Sequence, residues 1–209
     1  MASQPDKHLR FDLMVIASWI QSGTRILDLG CGHGDLLAYL KEHKQIQGTG
    51  IEQDKEKAAS CIERGLSVLQ GDIKEEVADY PDSAFDVVIL SQTLQQVYRP
   101  DVLLKSLSRI GKQVIVSFPN FSHYRIRLQL LLKGQAPKSR QLPFSWYDTP
   151  NIRVITLADF RKFSKDVGYT IVKECAINTH DQERSGRIVT LFSNLRTTYC
   201  IFLIENKTQ

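Results

Sequence analysis

One short segment constrains the fold more than any other: a strand-like run that leads directly into three closely spaced glycines. Residues 25–29 (Arg-Ile-Leu-Asp-Leu) are largely apolar, and Gly30, Gly32 and Gly34 follow before a helical pattern begins. Glycine adopts positive φ without strain and lets a ligand approach the backbone with no Cβ in the way. A strand, a glycine loop and a helix in this order predict a βαβ unit with a ligand at the carboxyl end of its strand.

Strands and helices alternate along the first half of the chain in the manner of a parallel α/β sheet. The run Asp-Val-Val-Ile-Leu at 86–90 is apolar after its first residue, which is typical of a strand buried on both faces. We predict strands over residues 25–29, 48–52, 67–70, 86–90 and 113–118, and helices over 35–43, 54–64 and 100–110. This alternation predicts βαβ units with right-handed crossovers.

Both ends of the chain extend this pattern. Apolar residues at helical spacing predict a first helix over 8–20. After Pro119 we predict helices over 123–133 and 156–167, an irregular stretch over 134–150, and strands over 169–175 and 198–204 as an antiparallel pair at the sheet edge. We therefore expect one α/β domain over 1–209, with a mostly parallel seven-stranded sheet, helices on both faces, and an inserted segment at about 120–152.

Composition excludes several classes of protein. Hydrophobic residues make up 42% of the chain and charged residues 24%, close to the average of soluble domains. The longest uncharged apolar run, residues 13–20, is much shorter than the ~20 residues that span a bilayer. The first residues also lack the apolar core of a signal peptide. We expect a cytoplasmic protein without a membrane partner.

The metal-ligating residue types are scattered. The four cysteines are far apart and form no Cys-x-x-Cys pair, so we expect reduced thiols and no disulfide framework. The five histidines form no cluster with them. No bound metal is expected.

Acidic residues follow two further predicted strands. Glu52 ends the second strand, 18 residues after Gly34, where a carboxylate can accept hydrogen bonds from ribose hydroxyls. Asp72 follows the third strand, where it can accept from an exocyclic amine. The carboxyl ends of neighbouring parallel strands meet at one edge of the sheet, so these features predict a nucleoside site.

The spacing of the loop resembles the class I S-adenosylmethionine-binding fold rather than a dinucleotide-binding fold. Asp35 occupies the position of the final dinucleotide glycine, and Asp28 is in reach of a ligand ammonium group. The resemblance implies that S-adenosylmethionine or S-adenosylhomocysteine binds with its methionine end at Asp28 and the glycines, its ribose at Glu52 and its adenine at Asp72. The expected binding residues are Asp28, Gly30, Cys31, Gly32, Gly34, Glu52, Gln53, Gly71, Asp72, Ile73, Ser91 and Gln92.

The loop after the fourth strand bears on whether a methyl group is transferred. Its residues Ser91, Gln92 and Thr93 do not ionise near neutral pH, and we expect Gln92 near the methyl group. No Asn/Asp-Pro-Pro-Tyr-like sequence is present, which disfavours transfer to a nucleobase or amide amine. His123 and Tyr124 are the nearest candidate bases, although packed aromatic roles suit them better. We assign no catalytic residue.

Four segments resemble the methionine biosynthesis protein MetW family. They are Leu-Ser-Gln-Thr-Leu-Gln at 90–95, Val-Ser-Phe-Pro-Asn-Phe at 116–121, Arg-x-Arg-Leu-x-Leu-Leu-Leu-x-Gly at 125–134 and Trp-Tyr-Asp-Thr-Pro-Asn-Ile at 146–152. The resemblance extends over residues 9–204 and implies a protein that works beside a MetX-type homoserine O-acyltransferase and raises its activity. Arg153, His33 and the stretch 176–197, with Asp181 and Glu183, depart from the family pattern.

Charge is distributed unevenly and leaves alternatives open. Residues 1–100 carry a net charge of −5 and residues 101–209 a net charge of +9, with no acid between 123 and 140. The aromatic residues among these cations suit either a partner interface at Arg125, Arg127, Trp146 and Tyr147 or a lid on the same domain. A free-standing methyltransferase could instead hold a small anionic metabolite at Arg125, Arg127 or Arg153. Nucleic-acid binding is not expected, because no recognition motif accompanies the charge.

Overall fold

A computed structural model of the chain describes residues 9–180 and 184–206. Its strands form one sheet in the order β3-β2-β1-β4-β5-β8-β6-β7. The strands are β1 Arg25–Leu29, β2 Gln47–Glu52, β3 Ser67–Gln70, β4 Phe85–Ser91, β5 Gly111–Pro119, β6 Tyr169–His180, β7 Ser185–Ile188 and β8 Tyr199–Asn206. The helices are α1 Phe11–Trp19, α2 Asp35–Lys44, α3 Lys55–Glu63, α4 Ile73–Asp79, α5 Pro100–Ile110, α6 Tyr124–Lys133, α7 Leu157–Asp166 and α8 Ser193–Arg196.

The first five strands pair in parallel and the last three are antiparallel to their neighbours. The predicted α/β class and the predicted βαβ units are therefore confirmed. The predicted count of seven strands is wrong, because the described residues form eight. The additional strand is β7, which pairs with the carboxyl half of β6 through register partners such as Ile177 and Ile188. Its sequence, Ser-Gly-Arg-Ile, has no alternation that would reveal a strand.

The predicted antiparallel pair exists, but its position was wrong. β8 lies between β5 and β6, and β7 forms the edge of the sheet. Residues 199–204 (Tyr-Cys-Ile-Phe-Leu-Ile) are apolar and buried throughout, which suits an interior strand covered on both faces.

Two helices differ from expectation. The predicted helix over 8–20 is shorter, at Phe11–Trp19, and His8 lies outside the described residues. Helix α4 was not predicted; it begins where the Asp72 side chain accepts a hydrogen bond from the backbone N–H of Lys74. Asp181 and Glu183, which the sequence analysis singled out, also lie outside the described residues.

Helices cover both faces of the sheet, and strand alternation divides the core into two layers. In β4, Val88 and Leu90 pack in the layer with α5 and α7, while Val87 and Ile89 pack in the layer with α1 and α2. Burial on both faces fixes the register of this strand, because a slip of one residue would exchange its two faces. The layers hold the carboxyl ends of the parallel strands in place.

Three features bear on the exclusions made from sequence. None of the four cysteines forms a disulfide. Over residues 9–180 and 184–206, no helix has the length and apolar character needed to cross a membrane. The same ranges contain no group of His, Cys, Asp and Glu side chains suited to a metal ion.

Candidate functional site

A cavity of about 610 Å³ lies at the carboxyl ends of β1, β2, β3 and β4. Its volume is within the range of small-molecule and cofactor sites. Ten of the twelve predicted binding residues line it: Asp28, Gly30, Cys31, Gly32, Glu52, Gln53, Asp72, Ile73, Ser91 and Gln92. Residues more than 60 positions apart in sequence therefore converge on one space, as the topology of an open α/β sheet predicts.

The other two predicted residues, Gly34 and Gly71, shape the loops rather than line the cavity. Gly34 begins α2 with φ +73°, and a Cβ there would lie 2.5 Å from Leu66 Cδ1. A Cβ on Gly71 would lie 2.4 Å from Glu76 Oε1. A side chain at Gly34 would press on Leu66 and Cys61 and be strained by the positive φ. One at Gly71 would require only the end of the Glu76 side chain to move.

Gly32 differs from these glycines because its backbone opens onto the cavity. It has φ +58°, and a Cβ built on it would meet no atom within 4 Å. Its N–H donates to Glu52 Oε2 at 2.7 Å. No side chain therefore separates the backbone of this loop from the cavity, and a ligand can approach that backbone closely.

Glu52 fastens the glycine loop to the end of β2. Besides the N–H of Gly32, its carboxylate accepts from the N–H of Asp54 at 3.0 Å, and the side chain is almost fully buried. Each carboxylate oxygen has two acceptor positions, so ribose hydroxyls can bind without displacing either backbone bond. The same side chain can therefore order the loop and bind a ligand.

The ionisation of Asp28 is strongly perturbed in the cavity. Burial, and secondly the nearby charge of Glu52, raise the pKa of Asp28 to about 7. A cation placed beside such a buried carboxyl group stabilises its ionised form. A ligand ammonium group would supply that cation, which fits the role predicted for Asp28.

Asp72 combines two roles. Its Oδ1 accepts the N–H of Lys74 at 2.7 Å and so caps α4. The residue is only partly buried and lines the cavity. Helix capping by one oxygen leaves the other oxygen for a ligand.

Gln92 lines the cavity and forms hydrogen bonds to residues behind the cavity wall. It has φ +52°, a conformation that non-glycine residues rarely adopt. Its backbone N–H donates to Ser117 O at 2.9 Å, and its side-chain Nε2 donates to Asp12 Oδ2 at 2.8 Å. The side chain is thus held in one position at the cavity wall.

Sequence reasoning missed two site residues, Arg10 and Asp12. Arg10 lines the cavity, and its Nη2 lies 2.8 Å from Oδ2 of the fully buried Asp12. The sequence signal that could have revealed them is the position of Asp12, which lies four residues before Ile16 and therefore on the apolar face of the first helix. Such a buried carboxylate needs partners, and Arg10 and Gln92 supply them.

Other predicted residues lie away from this cavity. The aromatic rings of Trp146 and Tyr147 are exposed and meet edge to face at 5.6 Å. Arg127 donates to Ser122, through Nε to the backbone carbonyl at 2.8 Å. Arg125 lies over the ring of Tyr124. These cations sit on one exposed segment around α6.

His123 and Tyr124, the candidate bases, do not line the cavity either. His123 is buried at the start of α6, where its Nδ1 accepts from the N–H of Arg125 at 3.3 Å. Burial, and secondly Arg125, lower the pKa of His123. Arg153 is engaged elsewhere, because its Nε donates to Val97 O at 3.4 Å. It therefore ties the chain to the loop after β4.

Comparison with solved structures identifies the fold. The chain superposes on a SAM-dependent methyltransferase of Archaeoglobus fulgidus with a TM-score of 0.68 and 15% identity, over 93% of this chain and 91% of that one. It superposes on the magnesium protoporphyrin IX methyltransferase of Synechocystis, solved with bound SAM, with a TM-score of 0.59 and 14% identity, over 94% and 78% of the two chains. The chain thus has the Rossmann-like class I methyltransferase fold.

Comparison by sequence is more specific. The bifunctional methionine biosynthesis protein MetXA/MetW of Rhodopirellula baltica is 34% identical over 178 residues, which cover 81% of this chain. The chain spans only 29% of the length of that relative. The model of the family described as methionine biosynthesis protein MetW matches residues 10–204. The chain belongs to the MetW family.

Proposed function

We propose that the cavity binds S-adenosylmethionine or S-adenosylhomocysteine. The convergence of ten predicted residues on one cavity supports this proposal most directly. Gly32 offers open backbone, Glu52 offers free acceptor positions, and Asp28 offers a buried carboxyl group that a cation would stabilise. These features correspond in order to the methionine end, the ribose and the ammonium group of the ligand.

Each residue has a separate task in this proposal. Asp28 holds the ligand ammonium, Glu52 accepts from the ribose hydroxyls, and Asp72 accepts from the adenine amine. Gln92 borders the methyl group and is fixed there by Asp12. The ligand, when bound, supplies an activated methyl group. The side chains after β4 bind and orient but do not ionise near neutral pH, so they are not general bases.

Calorimetric titration with S-adenosylmethionine tests this site. We expect saturable binding, and we expect Asp72→Asn to weaken it by about 1–3 kcal/mol because a ligand donor loses its charged acceptor. Asn retains the side-chain oxygen that caps α4, so the helix is kept. Asp101→Asn, at a partly exposed position in the first turn of α5 and outside the cavity, is the matched control. Unchanged affinity in Asp72→Asn would place the adenine elsewhere.

We further propose that the protein is a cytoplasmic accessory subunit that associates with a MetX-type homoserine O-acyltransferase and raises its activity. The exposed surface of α6 supports this proposal. Leu128, Leu131 and Leu132 fall at i, i+3 and i+4 and form one apolar stripe, of which Leu131 is 78% exposed. An apolar stripe left open on a helix is typical of a protein-binding surface.

The irregular stretch after α6 adds aromatic groups to this stripe. Phe144, Trp146 and Tyr147 are all exposed, and tryptophan and tyrosine are enriched at the centres of interfaces. We name Leu128, Leu131, Leu132, Phe144, Trp146 and Tyr147 the α6 surface. Arg125 and Arg127 lie beside it, and this pattern favours an acidic rim on the partner. The inserted segment at about 120–152 is thus proposed as an interface rather than a closed lid.

The relative from Rhodopirellula baltica supports the choice of partner. Its name couples MetXA and MetW in one bifunctional protein, and the present chain matches 29% of its length. Fusion places two proteins at high effective concentration, which is useful when they act together. Co-elution of the separate chains on a sizing column tests the proposal. We expect one complex, and independent elution at micromolar concentrations would contradict it.

A free-standing methyltransferase is the second candidate, and the complete cavity favours it. The two functions differ in product. A methyltransferase releases S-adenosylhomocysteine when an acceptor from a metabolite pool is supplied, whereas an accessory subunit does not turn the ligand over. Incubation with labelled S-adenosylmethionine and a metabolite extract therefore separates them.

A further inference from the structure

A second cavity, of about 510 Å³, opens beside the carboxyl ends of β5 and β6. Its walls come from the first turn of α6, the stretch 138–142, the end of β6 and Thr198, which precedes β8. It shares no lining residue with the first cavity. Neither the proposed nucleoside site nor the α6 surface accounts for it.

The floor of this cavity carries buried hydrogen-bonding groups. The hydroxyls of Thr179 and Thr198 lie 3.3 Å apart and are both buried. His123 lines the same cavity, and its Nδ1 accepts a backbone N–H, so that its neutral ring carries hydrogen on Nε2. The floor can therefore donate hydrogen bonds to a ligand.

The rim carries fixed positive charge. Arg125, Lys138 and Arg140 all line the cavity, and they come from α6 and from the stretch that follows it. Of the lining residues that the structure describes, none carries a carboxylate. The ion pairs formed among residues 9–180 and 184–206 include none of these three cations.

A solvated basic surface differs from this arrangement in two ways. Its cations are spread over an open face, whereas these three line one concavity and come from two elements. Its neighbours also include acids, whereas residues 123–140 contain none. Neutral groups hold two of the three cations. Lys138 Nζ donates to Ser145 Oγ at 2.5 Å. Arg125 Nε donates to the Tyr124 hydroxyl at 3.1 Å. Charges held together without counter-charge raise the local potential and favour an anion.

We propose that the second cavity binds a small anion that carries two or more carboxylates, or a phosphate group. The three cations bind the charged oxygens at the rim, and the Thr179 hydroxyl and the His123 ring donate from the floor. Because Lys138 and Arg140 belong to a stretch without regular structure, the anion would also hold that stretch against β6. This inference does not depend on the proposed association with an acyltransferase.

Calorimetric titration of the full chain tests this inference with citrate and inorganic phosphate as separate probes. Acetate and chloride at matched ionic strength serve as monovalent controls. We expect saturable binding of citrate or phosphate, and the tighter of the two identifies the class of anion. We expect the double variant Lys138→Gln/Arg140→Gln to bind that anion at least about tenfold more weakly, as the loss of charged hydrogen bonds predicts.

The matched control is Lys133→Gln, which removes an exposed cation from the end of α6, outside the cavity. It should bind as the wild type does, and all variants should keep the wild-type Tm without ligand. Three results would overturn the proposal: equal responses to citrate, phosphate and chloride; equal affinity in the double variant; or tighter binding of hexaglutamate than of either probe. The last result would assign the cavity to an acidic peptide.

Discussion

At the scale of single residues, Asp28 makes the stability of the protein depend on pH. Its pKa is raised from 3.8 to about 7 in the folded chain, chiefly by burial. Between these values the unfolded chain has released the proton and the folded chain retains it. The contribution of Asp28 to the free energy of unfolding is therefore complete below pH 4 and is lost as the pH rises through 7.

The variant Asp28→Asn isolates this effect, because its amide does not titrate. We expect its free energy of unfolding, relative to the wild type, to rise by on the order of 2–4 kcal/mol between pH 4 and pH 8. Urea denaturation of both proteins at several pH values measures the difference. A difference that stays constant with pH would show that Asp28 ionises freely in the folded chain.

The glycines of the loop are expected to respond differently to the same substitution. Gly34→Ala places a methyl group against Leu66 at positive φ and should lower the free energy of unfolding by about 2–4 kcal/mol. Gly32→Ala meets no atom within 4 Å and should lower it by only about 1–2 kcal/mol. Thermal unfolding compares the two.

Ligand binding should reverse this order. Gly32 lines the cavity and Gly34 does not, so a methyl group on Gly32 should cost more affinity for S-adenosylmethionine than one on Gly34. Equal losses would mean that the glycine loop does not contact the ligand.

The sequence predicted the residues that line the cavity better than the residues that support them. Glu52 and Asp72 were found because the carboxyl ends of parallel strands must meet, so their positions follow from topology alone. The link from Arg10 through Asp12 to Gln92 was missed, because it joins residues 80 positions apart through side chains. Helix periodicity indicates only that Asp12 lies near the apolar face.

At the scale of elements, substitutions on the exposed face of α6 should alter association with the partner without altering the stability of the fold. The double variant Leu131→Asp/Leu132→Asp changes exposed side chains, so we expect a Tm close to that of the wild type. It should abolish co-elution with the acyltransferase, because two charges would be buried in the interface without partners. Val102→Asp, an equally apolar and half-exposed position on α5, is the matched control and should keep the complex.

A failure of the control would also be informative. If Val102→Asp dissociated the complex and the α6 variant did not, the interface would lie on α5. If neither substitution had an effect, exposed apolar residues would not mediate association.

Elements with strong apolar patterns were predicted, and weakly patterned ones were not. The strand at 86–90 was found because burial on both faces demands consecutive apolar residues. β7 and α4 were missed for different reasons. β7 is stabilised by hydrogen bonds to its neighbour rather than by its own side chains, whereas α4 is a seven-residue helix with one buried side chain.

At the scale of the whole molecule, one edge of the sheet carries all the proposed ligand chemistry. The first cavity lies at the ends of β1 to β4 and the second beside β5 and β6, and α6 follows β5 directly. A ligand in the second cavity would therefore contact the first turn of α6, beside the α6 surface. Such an arrangement permits a bound ligand to alter association, provided that the free and complexed forms bind it with different affinities.

The proposed accessory role means that this protein raises the activity of a homoserine O-acyltransferase. The most direct test is the initial rate of homoserine acylation by the cognate acyltransferase, measured alone, with this protein, and with S-adenosylmethionine added to both. We expect a several-fold increase on mixing that saturates at a fixed ratio of the two chains and is absent with Leu131→Asp/Leu132→Asp. An unchanged rate at saturating protein would contradict the claim.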